Sequence, residues 1–172
     1  MAGSSDDIGV VSQRIGYNLR RAAAVFSAEF THAVEGTGMR QILVGILSVV
    51  AANPGVNQGT AGRLLGIKPA NMVAFITELT DAGLIMRDID PIDRRAFTLT
   101  VTPRGAALLD DCSQRLDSHE DELLTGFTDF EKATFLDFLS RVTRSAGPVR
   151  PKAPAVRGGP VRPCDTSSAQ SR

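Results

Sequence analysis

The feature that most constrains this chain is a change of hydrophobic period near residue 84. Before it, apolar residues recur every three or four positions, as on helices; after it, Leu84 to Asp88 is a short run, and Phe97, Leu99 and Val101 alternate with Thr98 and Thr100. Between the two strands lies the polar, proline-containing connector Asp90-Pro91-Ile92-Asp93-Arg94-Arg95. This reads as a hairpin that carries two guanidinium groups at its tip. Just upstream, Asn57 can cap a short helix from Gln58 to Leu65, Gly66 supplies a left-handed stop, and Pro69 opens a second helix at its tolerated first position. That helix reaches about Ala82, where Gly83 ends it. Two short helices followed directly by a basic-tipped hairpin make a winged helix-turn-helix.

The flanks are helical. Ile15, Leu19, Ala23, Phe26, Phe30 and Val34 form one apolar stripe, which predicts a long first helix ended by Gly36 and Gly38. Gln41 to Ala52 follows as a nearly all-apolar helix, expected in the core, closed by Asn53-Pro54-Gly55. Thr102 caps a helix with Pro103 at its first position and a near-heptad stripe of Leu109, Cys112, Leu116, His119 and Leu123. Thr128-Asp129-Phe130-Glu131 has the form of a capping box, and Phe135, Leu136, Phe138, Leu139 and Val142 make the last helix strongly apolar. The fold class is therefore mainly α with a small β-hairpin wing. Its expected parts are a helical dimerisation region over 8–35 and 103–144, a winged helix-turn-helix over 40–102, and a disordered, basic, proline-rich tail over 146–172.

Composition sets limits on function. The 172 residues carry equal numbers of basic and acidic groups, but residues 106–137 hold nine acids against Arg115 and Lys132, while the tail is basic, so local charge is the better guide to partners. No apolar stretch approaches the roughly 18 residues that span a bilayer, and Asp6 and Asp7 precede any apolar run, which points to a cytoplasmic protein without a membrane partner. Cys112 and Cys164 suit neither a disulfide framework nor a C-x-x-C metal site. There is no nucleophile elbow, phosphate loop or H-E-x-x-H motif, and two histidines leave little for acid-base work, so an enzyme is not expected and no cofactor is implied. A winged helix that binds protein instead of DNA stays open, because residues 57–105 hold six basic and five acidic groups.

For double-stranded DNA, the second helix of the pair would enter the major groove and the wing the minor groove, whose negative potential accepts a guanidinium. Arg94 and Arg95 are the wing candidates; the plainer alternative is that Asp90 and Asp93 pair with them on a solvated turn. Met72, Ile76 and Leu79 share the inward face, leaving Lys68, Pro69, Ala70, Asn71 and Ala74 near the outward N-terminal end. Asn71 could bond adenine, Lys68 or the helix start could hold a phosphate, and Gln58 and Thr60 are further phosphate candidates.

The stretch Gly83-Leu84-Ile85, then Arg87, then Asp90-Pro91-Ile92-Asp93-Arg94-Arg95, then Leu99-Thr100-Val101-Thr102-Pro103-Arg104-Gly105, resembles the MarR family of bacterial transcription factors. The likeness extends over about residues 10–144. It implies that Asp93 braces the wing, that Arg95 enters the minor groove and that Arg94 assists at the backbone. Ala74 departs from the basic or polar residue that many relatives carry there. The resemblance also implies a homodimer joined through the first and last helices on a pseudo-palindromic operator, most often a repressor released by a small ligand.

Ile15-Gly16-Tyr17-Asn18-Leu19-Arg20-Arg21-Ala22, followed by Phe26 and Phe30, resembles a subgroup that responds to aromatic acids or their coenzyme A thioesters, such as hydroxycinnamoyl-CoA. Arg20 and Arg21 could anchor a carboxylate or phosphates, Tyr17, Phe26 or Phe30 could lie against a ring, and Arg40 would sit near the mouth. Ordinary core phenylalanines on a helix with a solvated arginine pair are the alternative. Some members of the family switch by thiol oxidation, but the place of Cys112 on an apolar stripe suggests a buried, inert thiol. No metal-type spacing joins His32, His119 and Cys112 for zinc.

Overall fold

The computed structural model describes residues 9–89 and 97–145. After a 3-10 turn at Gly9–Gln13, the chain forms α1 (Ile15–Ala33), α2 (Gln41–Ala52), β1 (Val56–Asn57), α3 (Gln58–Leu64), α4 (Pro69–Asp81), β2 (Ile85–Ile89), β3 (Phe97–Val101), α5 (Pro103–Leu123) and α6 (Asp129–Ser145). The tail over 146–172 lies outside the described residues.

The caps fall where local chemistry places them. Asn57 Oδ1 accepts from the Thr60 amide at 2.8 Å and opens α3. Pro69 occupies the first turn of α4, and Gly66, at φ 65°, turns the chain between the two helices in the left-handed region that a side chain would resist. Thr128 and Glu131 close their capping box reciprocally: the Thr128 amide donates to Glu131 Oε2 at 2.8 Å, and the Glu131 amide to Thr128 Oγ1 at 3.3 Å.

Helix α2 is the centre of the core, with Leu43, Val44, Ile46, Leu47 and Val50 all buried. Around it one cluster gathers Val34 and Met39, then Ala61 of α3, Met72, Ile76 and Leu79 of α4, Leu84, Ile85 and Leu99 of the sheet region, and Cys112 of α5. The helix pair, the hairpin and the long helix therefore share one core. The antiparallel sheet has the order β1-β3-β2, with Ile85 opposite Val101 and Ile89 opposite Phe97. The hairpin expectation is met with one addition. Val56 and Asn57 pair with Leu99 and Thr98 as a third strand, too short to leave a period in the sequence.

The sheet is joined to α5 through a close backbone approach. Thr102 Oγ1 donates to the Gly83 carbonyl at 2.8 Å and accepts from the Gly105 amide at 3.0 Å, while the Thr102 amide donates to the Leu84 carbonyl at 3.0 Å. Gly105 lies so near Leu84 that a Cβ there would stand 2.1 Å from the Leu84 carbonyl oxygen. Only glycine fits. By contrast, α6 buries no residue in the single chain: Phe130 is 80%, Leu136 65% and Phe138 54% exposed, and Ile15 at the start of α1 is 84% exposed. Among the described residues, no helix is long and apolar enough to cross a membrane.

Two expectations follow. Gly105→Ala should cost about 3 kcal/mol or more, because backbone must move to admit the methyl group, and urea unfolding will measure it; wild-type stability would mean the approach is absent. The hydrogen bonds from the Thr128 amide and then its hydroxyl hold the Glu131 carboxyl below its ordinary range. A depressed folded-state pKa means that this cap contributes above the unfolded carboxylate pKa and is lost as pH falls through the lowered value. The Thr128 amide resonance in an acid titration should report that lowered value.

Candidate nucleic-acid interface and ligand cavities

The burial of Met72, Ile76 and Leu79 fixes the rotation of α4, so its opposite face is turned to solvent. Lys68, Pro69, Ala70, Asn71 and Ala74 are all exposed at or near its N-terminal end, as are Val73 and Thr77 on the following turns. Lys68 is the N-cap residue, and no acid occupies the helix's own first turn to offset the positive end of its dipole. The Asn71 amide donates to the Lys68 carbonyl at 3.0 Å; its side chain is not used as the cap. This end can meet an anion or a base edge.

On α3, Gln58 and Thr60 are half-buried at the capped start, and Thr60 Oγ1 accepts from Arg63 Nη2 at 2.8 Å. Arg63 is an exposed cation that the sequence argument passed over; its place one turn after Thr60 on a capped helix was the available signal. Asp93, Arg94 and Arg95 lie outside the described residues. The strands they join end opposite each other at Ile89 and Phe97, and Arg87 stacks its guanidinium 3.7 Å from the Phe97 ring centroid. Cation and ring brace the base of the hairpin.

The six residues considered for a ligand do not converge on one cavity within a single chain. Arg20 and Arg21 are exposed and both lie over the Tyr17 ring, at 5.3 and 5.9 Å from its centroid. Phe26 lines a groove of about 1000 Å³ between α1, α5 and α6, together with Leu19, Leu124, Phe135 and Leu139. Phe30 packs against the core. Arg40 lines a separate cavity of about 540 Å³ at the α1–α2 turn, with Thr31, His32, Glu35 and Met39. From its place before α2, its guanidinium also reaches α4, where it pairs with Glu78 and lies 5.8 Å from the Phe75 ring centroid.

The two histidines meet although 87 positions separate them: their rings stand edge to face with centroids 5.4 Å apart. Each has a carboxylate near Nδ1, Glu35 at 3.5 Å from His32 and Glu29 at 3.4 Å from His119. No spacing rule could have found this contact, because it depends on α1 packing against α5. Among the described residues no three His, Cys, Asp or Glu side chains are gathered to hold a metal ion. Cys112 is fully buried, and burial pushes its thiol up despite a hydrogen bond with Thr37. A buried thiol so held is a poor nucleophile.

No family model matches the chain. It is 29% identical over 137 residues, 79% of its own length and 82% of the relative's, to a protein of Thauera aromatica described as a regulator for the hcr operon. Among solved structures it is similar to the transcriptional repressor CouR bound to a 23-mer DNA duplex, at 31% identity, covering 80% of this chain and 98% of that one with a TM-score of 0.77. CouR of Rhodococcus jostii RHA1 bound to p-coumaroyl-CoA matches at 29% identity, over 78% of this chain and 94% of that one, with a TM-score of 0.69. A MarR-family regulator of Rhodococcus sp. RHA1 matches at 29% identity over 78% and 95%, with a TM-score of 0.71. The fold is thus shared with regulators matched along nearly their whole length, and the chain belongs to the MarR family of transcriptional regulators.

Proposed function

We propose that this chain is a DNA-binding repressor released from its operator by an aromatic acid or its coenzyme A thioester. The observation that carries the reading is the orientation of α4: its inner face is locked in the core, and its N-terminal end, with Lys68 and Asn71, is free for DNA. The similarity to CouR in complexes with DNA and with p-coumaroyl-CoA supports the same reading and names the ligand class to test.

Asn71, with Ala70 and Pro69 beside it, reads bases in the major groove, while Lys68, Gln58, Thr60 and Arg63 hold phosphates. Arg95 enters the minor groove, Arg94 takes the backbone, and Asp93 braces the wing. Two copies bind together. Exposed apolar residues on α6 and α1, including Ile15, Phe130, Leu136 and Phe138, form more apolar surface than a lone domain leaves open, so residues 8–35 and 103–144 make the dimer interface. The two winged domains over 40–102 then meet half-sites about 34 to 36 Å apart. The ligand's anionic groups have two places to go: Arg40 with His32 at the α1–α2 turn, and the Arg20 and Arg21 pair on the Tyr17 ring. Phe26 and Phe30 supply apolar surface. Binding, not catalysis, is the activity.

The experiment is a fluorescence anisotropy titration of the protein on its own upstream DNA, at two salt concentrations, with and without p-coumaroyl-CoA. Tight, salt-sensitive binding reversed by the thioester is expected; no specific binding would overturn the reading. Arg95→Ala should weaken binding by roughly 1 to 3 kcal/mol with a shallower salt slope, whereas Asn71→Ala should relax base preference with the slope unchanged. Cys112 should stay unlabelled by iodoacetamide in the folded protein and react on unfolding. Rapid labelling of Cys112, distinguished from Cys164 by peptide mass, would favour a thiol-sensing regulator instead.

A further inference from the structure

We infer that the pair between Arg40 and Glu78 is the latch through which an anion in the α1–α2 cavity is sensed by the recognition helix; the inference rests on the functional reading above. Arg40 belongs to two environments at once. It immediately precedes α2 and is one of the residues that line the 540 Å³ cavity, and its guanidinium pairs with Glu78 on α4. Phe75, also on α4, lies beneath it. Among the described residues, no other arginine or lysine lines this cavity, and the one carboxylate there, Glu35, is next to His32. A carboxylate or phosphate entering there is drawn to Arg40 and competes with Glu78 for its planar donors.

Glu78 is two helical turns from Asn71, about 10 Å along a rigid rod, so a change in what holds residue 78 is felt where bases are read. With the latch closed, α4 is tied to the start of α2 by a charge pair and a ring contact. An anion that takes Arg40 removes the charge pair. Only a ligand that binds the open and closed states differently can shift them, and competition for one guanidinium provides that difference. Reciprocity then requires that DNA, by favouring the closed latch, weakens the ligand by the same factor. The pair is half exposed, with side-chain exposures of 57% and 45%, so the latch contributes about fivefold at most. The rest of the coupling comes from packing.

The test uses the full chain, p-coumaroyl-CoA as probe, and the Glu78→Gln variant. Ligand affinity is measured by calorimetry without DNA, and DNA affinity by anisotropy with and without saturating ligand. Glu78→Gln should bind the thioester about two- to fivefold more tightly, and the ratio of DNA affinities without and with ligand should fall, because DNA, by favouring the closed latch, makes the gain in ligand affinity larger in the complex than in the free protein. The ratio is the readout because removing a negative charge also raises DNA affinity by itself. Arg40→Gln should lose most of the ligand affinity while keeping the wild-type melting temperature. Unchanged ligand affinity and an unchanged ratio in Glu78→Gln, or wild-type ligand affinity in Arg40→Gln, would overturn the latch while leaving the repressor reading intact. A wild-type protein that neither binds the thioester nor releases DNA with it would overturn both.

Discussion

The structure depends on the approach of Leu84 to Gly105. At that point the end of the helix pair, the start of the hairpin and the first turn of α5 are held within hydrogen-bonding distance by one threonine. Thr102 bonds the Gly83 carbonyl, the Leu84 carbonyl and the Gly105 amide, and the Leu84 amide in turn donates to the Leu79 carbonyl of α4 at 2.9 Å. Any side chain at residue 105 would drive these backbones apart. The angle between α4 and the long helix α5 is therefore set by backbone contact, which adjusts less readily than side-chain packing. A regulator needs such stiffness, because a shift at one end must move the other instead of being absorbed between them.

The same rigidity separates the surfaces by purpose. The core takes the inner face of α4 and the Leu43, Val44, Ile46, Leu47 and Val50 side of α2, which leaves the outer face of α4 open to solvent and Phe130, Leu136 and Phe138 of α6 exposed in a single chain. The arginines of α1 lie over Tyr17, outside both cavities, while Arg40 bridges the α1–α2 cavity and α4. Candidate ligand residues on or next to one helix thus end in different places, and residues far apart in sequence, such as His32 and His119, meet.

Much of the architecture was legible because it is built from local rules. Asn57, Gly66, Pro69, Thr102 with Pro103, and the Thr128 to Glu131 box each act within four residues, through a cap, a left-handed turn or a fixed φ, and the helices begin and end where those rules put them. The central position of α2 was equally legible, since a helix apolar on all sides has to be buried. Strand β1 was not: two residues have no period, and Val56 and Asn57 become a strand only because β3 offers an edge.

For the site, the outward residues of α4 followed from the spacing of Met72, Ile76 and Leu79, because helical periodicity fixes which residues share a face. The grouping of the residues considered for a ligand did not follow. Stripe arguments place Phe26 and Phe30 on one helix face, but which neighbour each face meets depends on how α1 lies against α2, α5 and α6. The sequence by itself determined the order of elements, the inward face of α4 and the central place of α2, which rest on caps, turns and periodicity within a few residues. The tertiary structure alone decided that Arg40 meets Glu78, that the two histidines touch and that Gly105 must lack a side chain. Those contacts join segments separated by tens of residues, and their geometry is set by the packing of whole helices, to which no local spacing corresponds.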